Sequence, residues 1–102
     1  MASDKSYLDY MLEGLSELEE ITYRKMMGEY IIYYKGRIIS YIADNRMLIK
    51  PCRSALALLK DARMERPYAG AKEMILIEDT DNRDLLKKLF EASYEELYAE
   101  KA

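Results

Sequence analysis

Apolar residues at Tyr7, Leu8, Met11, Leu12, Leu15 and Leu18 recur at the three-and-four spacing of an amphipathic helix, with Ser3 and Asp4 placed to cap its start. The pattern predicts a helix over 4–19. From Thr22 the texture changes to β-branched and aromatic residues, broken at Gly28, Lys35-Gly36 and Asp44-Asn45. Short runs of this kind with turn residues between them predict strands over 22–26, 29–35, 37–43 and 46–50, an antiparallel meander that Pro51 stops. Pro51 can open a second helix, which passes through Leu58 and Leu59 and ends near Lys60. Residues 63–72 carry Pro67, Tyr68 and Gly70 without periodicity and read as a loop before a short strand, Met74 to Ile77, in the same sheet. Asp81 and Asp84 then resemble a capping arrangement, and Leu85, Leu86, Leu89, Phe90, Ser93 and Leu97 carry a third helix over 82–98. Glu100 and Lys101 have little to pack against and are expected to fray.

The order is helix, four strands, helix, strand, helix. Its simplest arrangement is an α+β two-layer domain: one mostly antiparallel five-stranded sheet with the helices on one face. A chain of 102 residues suits a single domain, 1–102. No apolar stretch spans a bilayer and no leader-like segment opens the chain, and a lone cysteine makes no internal disulfide. A cytoplasmic setting is the expectation.

Hairpin geometry assigns the strand faces. A two-residue loop at Lys35-Gly36 sets Tyr30 opposite Tyr41, Ile32 opposite Ile39 and Tyr34 opposite Arg37, all pointing one way. An Asp44-Asn45 turn adds Arg46, Leu48 and Lys50 to that side. Ile31, Tyr33, Ile38, Ile42, Met47 and Ile49 face the other way, as core. The first side, Tyr30, Ile32, Tyr34, Arg37, Ile39, Tyr41, Arg46 and Leu48, mixes phenols, cations and aliphatics, which suits a surface covered when a protein partner or a second copy arrives, the alternative being plain solvent exposure or cover by the chain's own helices. A three-residue loop with a bulge at Gly36 would instead exchange one strand's faces and separate Tyr30 from Tyr41.

Charge sharpens the choice of partner. Residues 1–20 hold one Lys against six acids (net −5), 21–72 eleven cations against four acids (+7), and 73–102 four against nine (−5). The basic middle makes a second reading available, single-stranded nucleic acid held by Arg24, Lys25, Arg37 and Arg46 with tyrosine stacking. The overall charge of −3 weighs against a strong nucleic-acid binder.

Histidine is absent, so the usual triads and neutral-pH imidazole chemistry are excluded, and one cysteine is too few for a structural zinc site. Cys52, between Lys50 and Arg53 at a helix start, has the setting of a reactive thiolate but lacks a base, and a structural half-buried thiol is the plainer reading. Glu78, Asp79, Asp81 and Asp84 could chelate a hard cation, yet a loop-to-helix junction needs acids for capping. Gly28 and Gly36 are isolated and serve turns or a bulge. Seven methionines and Tyr68 could shape a pocket, weighed against the ordinary use of Met as core filler. These residues nominate no active site, no metal and no cofactor.

The run Arg24-Lys25-Met26-Met27-Gly28-Glu29-Tyr30, then Tyr34-Lys35-Gly36, then Asp44-Asn45-Arg46-Met47-Leu48-Ile49-Lys50, resembles the N-terminal domain of the TfoX/Sxy competence-regulator family. Pro67-Tyr68-Ala69-Gly70 and Met74 extend the likeness across nearly the whole chain. The resemblance implies an α+β fold with an antiparallel sheet and flanking helices. It also implies a non-enzymatic regulatory or adaptor role, linked to DNA-uptake genes that the family's full-length members promote together with the catabolite activator protein. Met27 and Glu29 stand where members often have Phe and a second Gly. The sequence ends where the family's C-terminal domain would begin.

Overall fold

A computed structural model describes residues 4–99. Its elements in chain order are α1 (Lys5–Gly14), β1 (Ile21–Met26), β2 (Glu29–Tyr34), β3 (Arg37–Ala43), β4 (Arg46–Ile49), α2 (Arg53–Leu58), β5 (Met64–Glu65), β6 (Met74–Ile77) and α3 (Arg83–Tyr98). The fold is α+β, an antiparallel sheet in the order β1-β2-β3-β4-β6-β5 with the helices packed on one face. Among the described residues the sheet has six strands rather than five, because Met64 and Glu65, within the expected loop, pair with Ile75 and Met74. The expected cap at Ser3 and the fraying of Glu100 and Lys101 lie outside the described residues.

Three successive hairpins share one turn design. Met27-Gly28 (φ 53 and 85), Lys35-Gly36 (φ 53 and 80) and Asp44-Asn45 (φ 54 and 55) each bridge two paired strands with both residues left-handed. That is the type I′ loop, whose twist matches that of the strands it joins. Gly and Asn take this conformation readily; Met27 takes it at a steric cost.

Helix ends differ from expectation in informative ways. α1 stops at Gly14, five residues early, and the chain continues through turns closed by Leu15 and Leu18. Asp4 does not cap α1 with its side chain. Its backbone N–H donates to Asn45 Oδ1 (2.9 Å), and its carboxylate accepts from Asn45 Nδ2 (3.4 Å), which clips the helix start to the β3–β4 turn. α2 starts after Cys52 rather than at Pro51, and its exposed N–H groups at Arg53 and Ser54 donate to Glu96 of α3 (3.1 and 2.8 Å). α3 is capped by Asn82, whose Oδ1 accepts from Leu85 N (3.0 Å), not by Asp81.

The strand faces are where the structure departs most from the sequence reading. The Lys35-Gly36 loop has two residues, and Tyr34 pairs with Arg37 and Tyr33 with Ile38 as expected. Ile32 then pairs with Ser40, Ile31 with Tyr41 and Tyr30 with Ile42, so Ile39 is an extra residue, a β-bulge within β3. The bulge turns both Ile39 and Ser40 toward the helices. Tyr30, Ile32, Tyr34 and Ile39, expected on an open surface, are therefore buried with Ile42, Met47 and Ile49 beneath Leu8, Met11, Leu86, Leu89 and Phe90. Ile31, Tyr33 and Ile38, expected as core, lie on the opposite, helix-free face. Three hydrogen bonds hold the bulge: Tyr98 Oη donates to the Ile38 carbonyl (2.8 Å), Lys50 N to the Ile39 carbonyl (3.0 Å), and Ser40 Oγ to the Leu48 carbonyl (2.6 Å).

Candidate binding surface

The helix-free face is built from alternate residues of the central strands. Ile31, Tyr41, Leu48 and Leu76 form one cross-strand row, and Ala43 and Met74 pack beside it. Loop 66–73 folds back over this row. Pro67 is buried, and Tyr68 stands beside Tyr41. Arg46 pins the loop's start: Nη2 donates to the Arg66 carbonyl (3.3 Å), Nη1 is paired with Glu65, and Nε donates to the Ala43 carbonyl (3.1 Å).

Tyr68 thereby divides the face into adjoining hollows. The first, about 260 Å³, is walled by Met26, Met27, Ile31, Tyr41 and Tyr68, and Glu29 supplies its one charged wall. Met27 at the hairpin tip is 95% exposed, Met26 44% and Tyr68 51%. Glu29 is engaged, since its Oε1 accepts from Asp44 N (3.0 Å). The second hollow, about 290 Å³, lies on the other side of Tyr41 and Tyr68, between Lys50, Lys72 and Met74. Partial burial pushes the Tyr41 phenol above the ordinary tyrosine range, and the neighbouring Tyr68 phenol adds to this. The surface thus offers an apolar hollow with phenol walls, a type that accepts an apolar side chain.

Of the residues expected to share one surface, Tyr41, Leu48 and Arg46 lie on this face; Leu48 is fully buried under its neighbours. Tyr30, Ile32, Tyr34 and Ile39 lie on the other. Arg37 sits at the helix side, its guanidinium 5.6 Å from the Tyr98 ring centroid. The four cations expected for nucleic acid do not converge either. Arg24 and Arg46 are on the helix-free face, Arg46 already paired with Glu65, while Lys25 is opposite Tyr30 and Arg37 is against α3.

Cys52 is 9% exposed in the main core and donates toward Ser93 Oγ (3.6 Å), the setting of a structural thiol. Asp79 accepts from Asn82 Nδ2 (3.3 Å), shaping the turn that precedes α3. The sequence reading raised methionines and Tyr68 as pocket formers and set them below core filling; Met26, Met27 and Tyr68 line the first hollow. The signal was Met27 itself, a large apolar residue at a turn position that favours Asn or Gly.

A family model described as the TfoX N-terminal domain matches residues 13–97. A curated relative from Spirochaeta aurantia, an uncharacterized 12.7 kDa protein in the trpE 5′ region, is 28% identical over 79 residues, which span 78% of this chain and 69% of the relative. No solved structure matches. Among the described residues no helix is long and apolar enough to cross a membrane.

Proposed function

Because the chain belongs to the TfoX N-terminal domain family, a family of non-catalytic regulators, we propose that it is a competence-related regulatory module acting by protein contact on the helix-free face of its sheet. The partner is a protein segment whose apolar anchor enters the hollow between Met26, Met27, Ile31, Tyr41 and Tyr68. The observation that carries this reading is the exposure of Met27 at a turn tip where the backbone conformation disfavours Met, beside an apolar hollow that Met27 helps to wall. Large apolar side chains exposed next to a concave apolar surface are typical of contact sites. A protein partner is favoured over nucleic acid because the walls are apolar and the cations are dispersed over both faces.

Peptides selected from a random library on the immobilised domain test the reading. Selected peptides are expected to carry an aromatic or aliphatic anchor and to lose binding at least about tenfold to Met27→Asp and Tyr68→Ala, both exposed positions, while Lys60→Glu leaves binding unchanged. Binding insensitive to both substitutions would overturn it. So would single-stranded oligonucleotides binding the same face with a steep salt dependence.

A further inference from the structure

β1 is an edge strand, and five of its six residues are exposed. Met26 and Glu29 flank a two-residue loop and form a hydrogen-bonded pair, as do Arg24 with Ile31 and Thr22 with Tyr33, by the alternation of antiparallel ladders. The backbone N–H and C=O groups of Ile21, Tyr23 and Lys25 consequently point away from β2, along the open edge. Natural edges are commonly guarded by charge, and Arg24 and Lys25 at first look like such guards.

The residues just before β1 change that view. Glu19-Glu20-Ile21-Thr22-Tyr23-Arg24-Lys25 is charge-palindromic about Thr22, two acids on one side and two cations on the other. Among the described residues none of these four charged side chains has an ion-pair partner. We propose that β1 is a self-recognition edge: two copies pair their β1 strands antiparallel about a two-fold axis through Thr22, setting Glu20 against Arg24 and Glu19 against Lys25 in both directions.

The backbone parity agrees with this register. An axis through Thr22 places Ile21 opposite Tyr23 of the second copy, and both carry outward N–H and C=O groups, so the two Ile21–Tyr23 pairs are the bonding ones. Both side chains lie on the helix side of the sheet, where Tyr23, 43% exposed, covers the half-buried Ile21 of the second copy. The chain bends at Glu20 (φ 62), whose carbonyl is taken by Lys35 N (3.0 Å); the ladder ends there and the acids reach the cations as side chains. The same cations repel a foreign strand that lacks acids at the matching positions, which gives the edge specificity for its own copy. The result is a two-fold, twelve-stranded sheet whose helix-free face stays open, so the inference stands independently of the partner site proposed above.

A charge-swap pair tests it by sedimentation across a concentration series. The wild-type chain is expected to dimerise with micromolar-range affinity that weakens with added salt, in keeping with a short ladder and exposed ion pairs. Arg24→Glu/Lys25→Glu and Glu19→Lys/Glu20→Lys, each confirmed folded by circular dichroism, are expected to weaken self-association at least about tenfold alone and to form a heterodimer when mixed. Tyr23→Pro, which removes an outward N–H without touching the β1–β2 ladder, is expected to be monomeric. A wild-type monomer at every concentration, a charge-reversed variant that dimerises as tightly as the wild type, or folded variants that fail to combine would each overturn the proposal.

Discussion

The Tyr98 hydroxyl lies 2.8 Å from the Ile38 carbonyl and 2.6 Å from Lys50 Nζ, so the end of α3 holds the strand at the residue preceding its bulge. The phenol donates to the carbonyl and accepts from the ammonium, and the Arg37 guanidinium lies 5.6 Å from its ring centroid. With the Lys50 N–Ile39 and Ser40 Oγ–Leu48 bonds, this contact holds the register in which Ile39 and Ser40 face the helices.

Tyr98→Phe keeps the ring and removes the hydroxyl, leaving the Ile38 carbonyl and the Lys50 ammonium short of a partner. A loss of about 1–2 kcal/mol is expected in urea denaturation. Amide exchange at Ser40 and Tyr41 should accelerate more than at Ile75, if the bulge is where the loss is felt.

Glu96 accepts hydrogen bonds from Ser54 N, Ser54 Oγ and Arg53 N, and these hold its carboxyl below the ordinary glutamate range. Its stabilising contribution is therefore complete above that range and fades as pH falls through the folded-state value. Glu96→Gln is expected to lower stability at neutral pH and to flatten this part of the acid unfolding curve, read by circular dichroism from neutral pH downward.

Met27 occupies the left-handed region at φ 53. Met27→Asn should stabilise the domain by about 0.5–1 kcal/mol in thermal unfolding, because Asn adopts this conformation at lower steric cost. The same substitution should weaken peptides that enter the neighbouring hollow. Stability gained and binding lost together would identify Met27 as a residue retained for contact.

Tyr41 and Tyr7 are both pushed above the ordinary tyrosine range by burial. In an alkaline titration followed by phenolate absorbance, they should ionise after the exposed tyrosines. Tyr41→Phe should remove part of the late component, and in the unsubstituted chain a bound peptide should delay Tyr41 ionisation further.

The helices, the meander and its three turns were legible because their signals are local: apolar stripes at helical spacing, and two-residue loops rich in Gly and Asn. The strand faces were not. In Ile38-Ile39-Ser40 the apolar and polar residues fit either phase of the alternation, and the observed phase is held by contacts from outside the hairpin, among them the Tyr98 hydroxyl 60 residues away in sequence. That is why Tyr30 and Tyr41, read as neighbours, stand on opposite faces. β5 escaped notice for a related reason: Met64 and Glu65 are too few to show a period and are recruited by β6. Of the surface, Tyr41, Arg46 and Leu48 were correctly grouped on one side, whereas Ile31 was assigned to the core.

The three tight turns joining β1 to β4 have a kinetic corollary. Each hairpin brings together residues close along the chain, so the meander can zip without closing a large loop, while the clasp between Tyr98 and Ile38 spans most of the polypeptide. Docking of α3 is therefore the contact with the larger loop-closure cost, and the bulge in β3 gains its Tyr98 hydrogen bond only once that helix is in place.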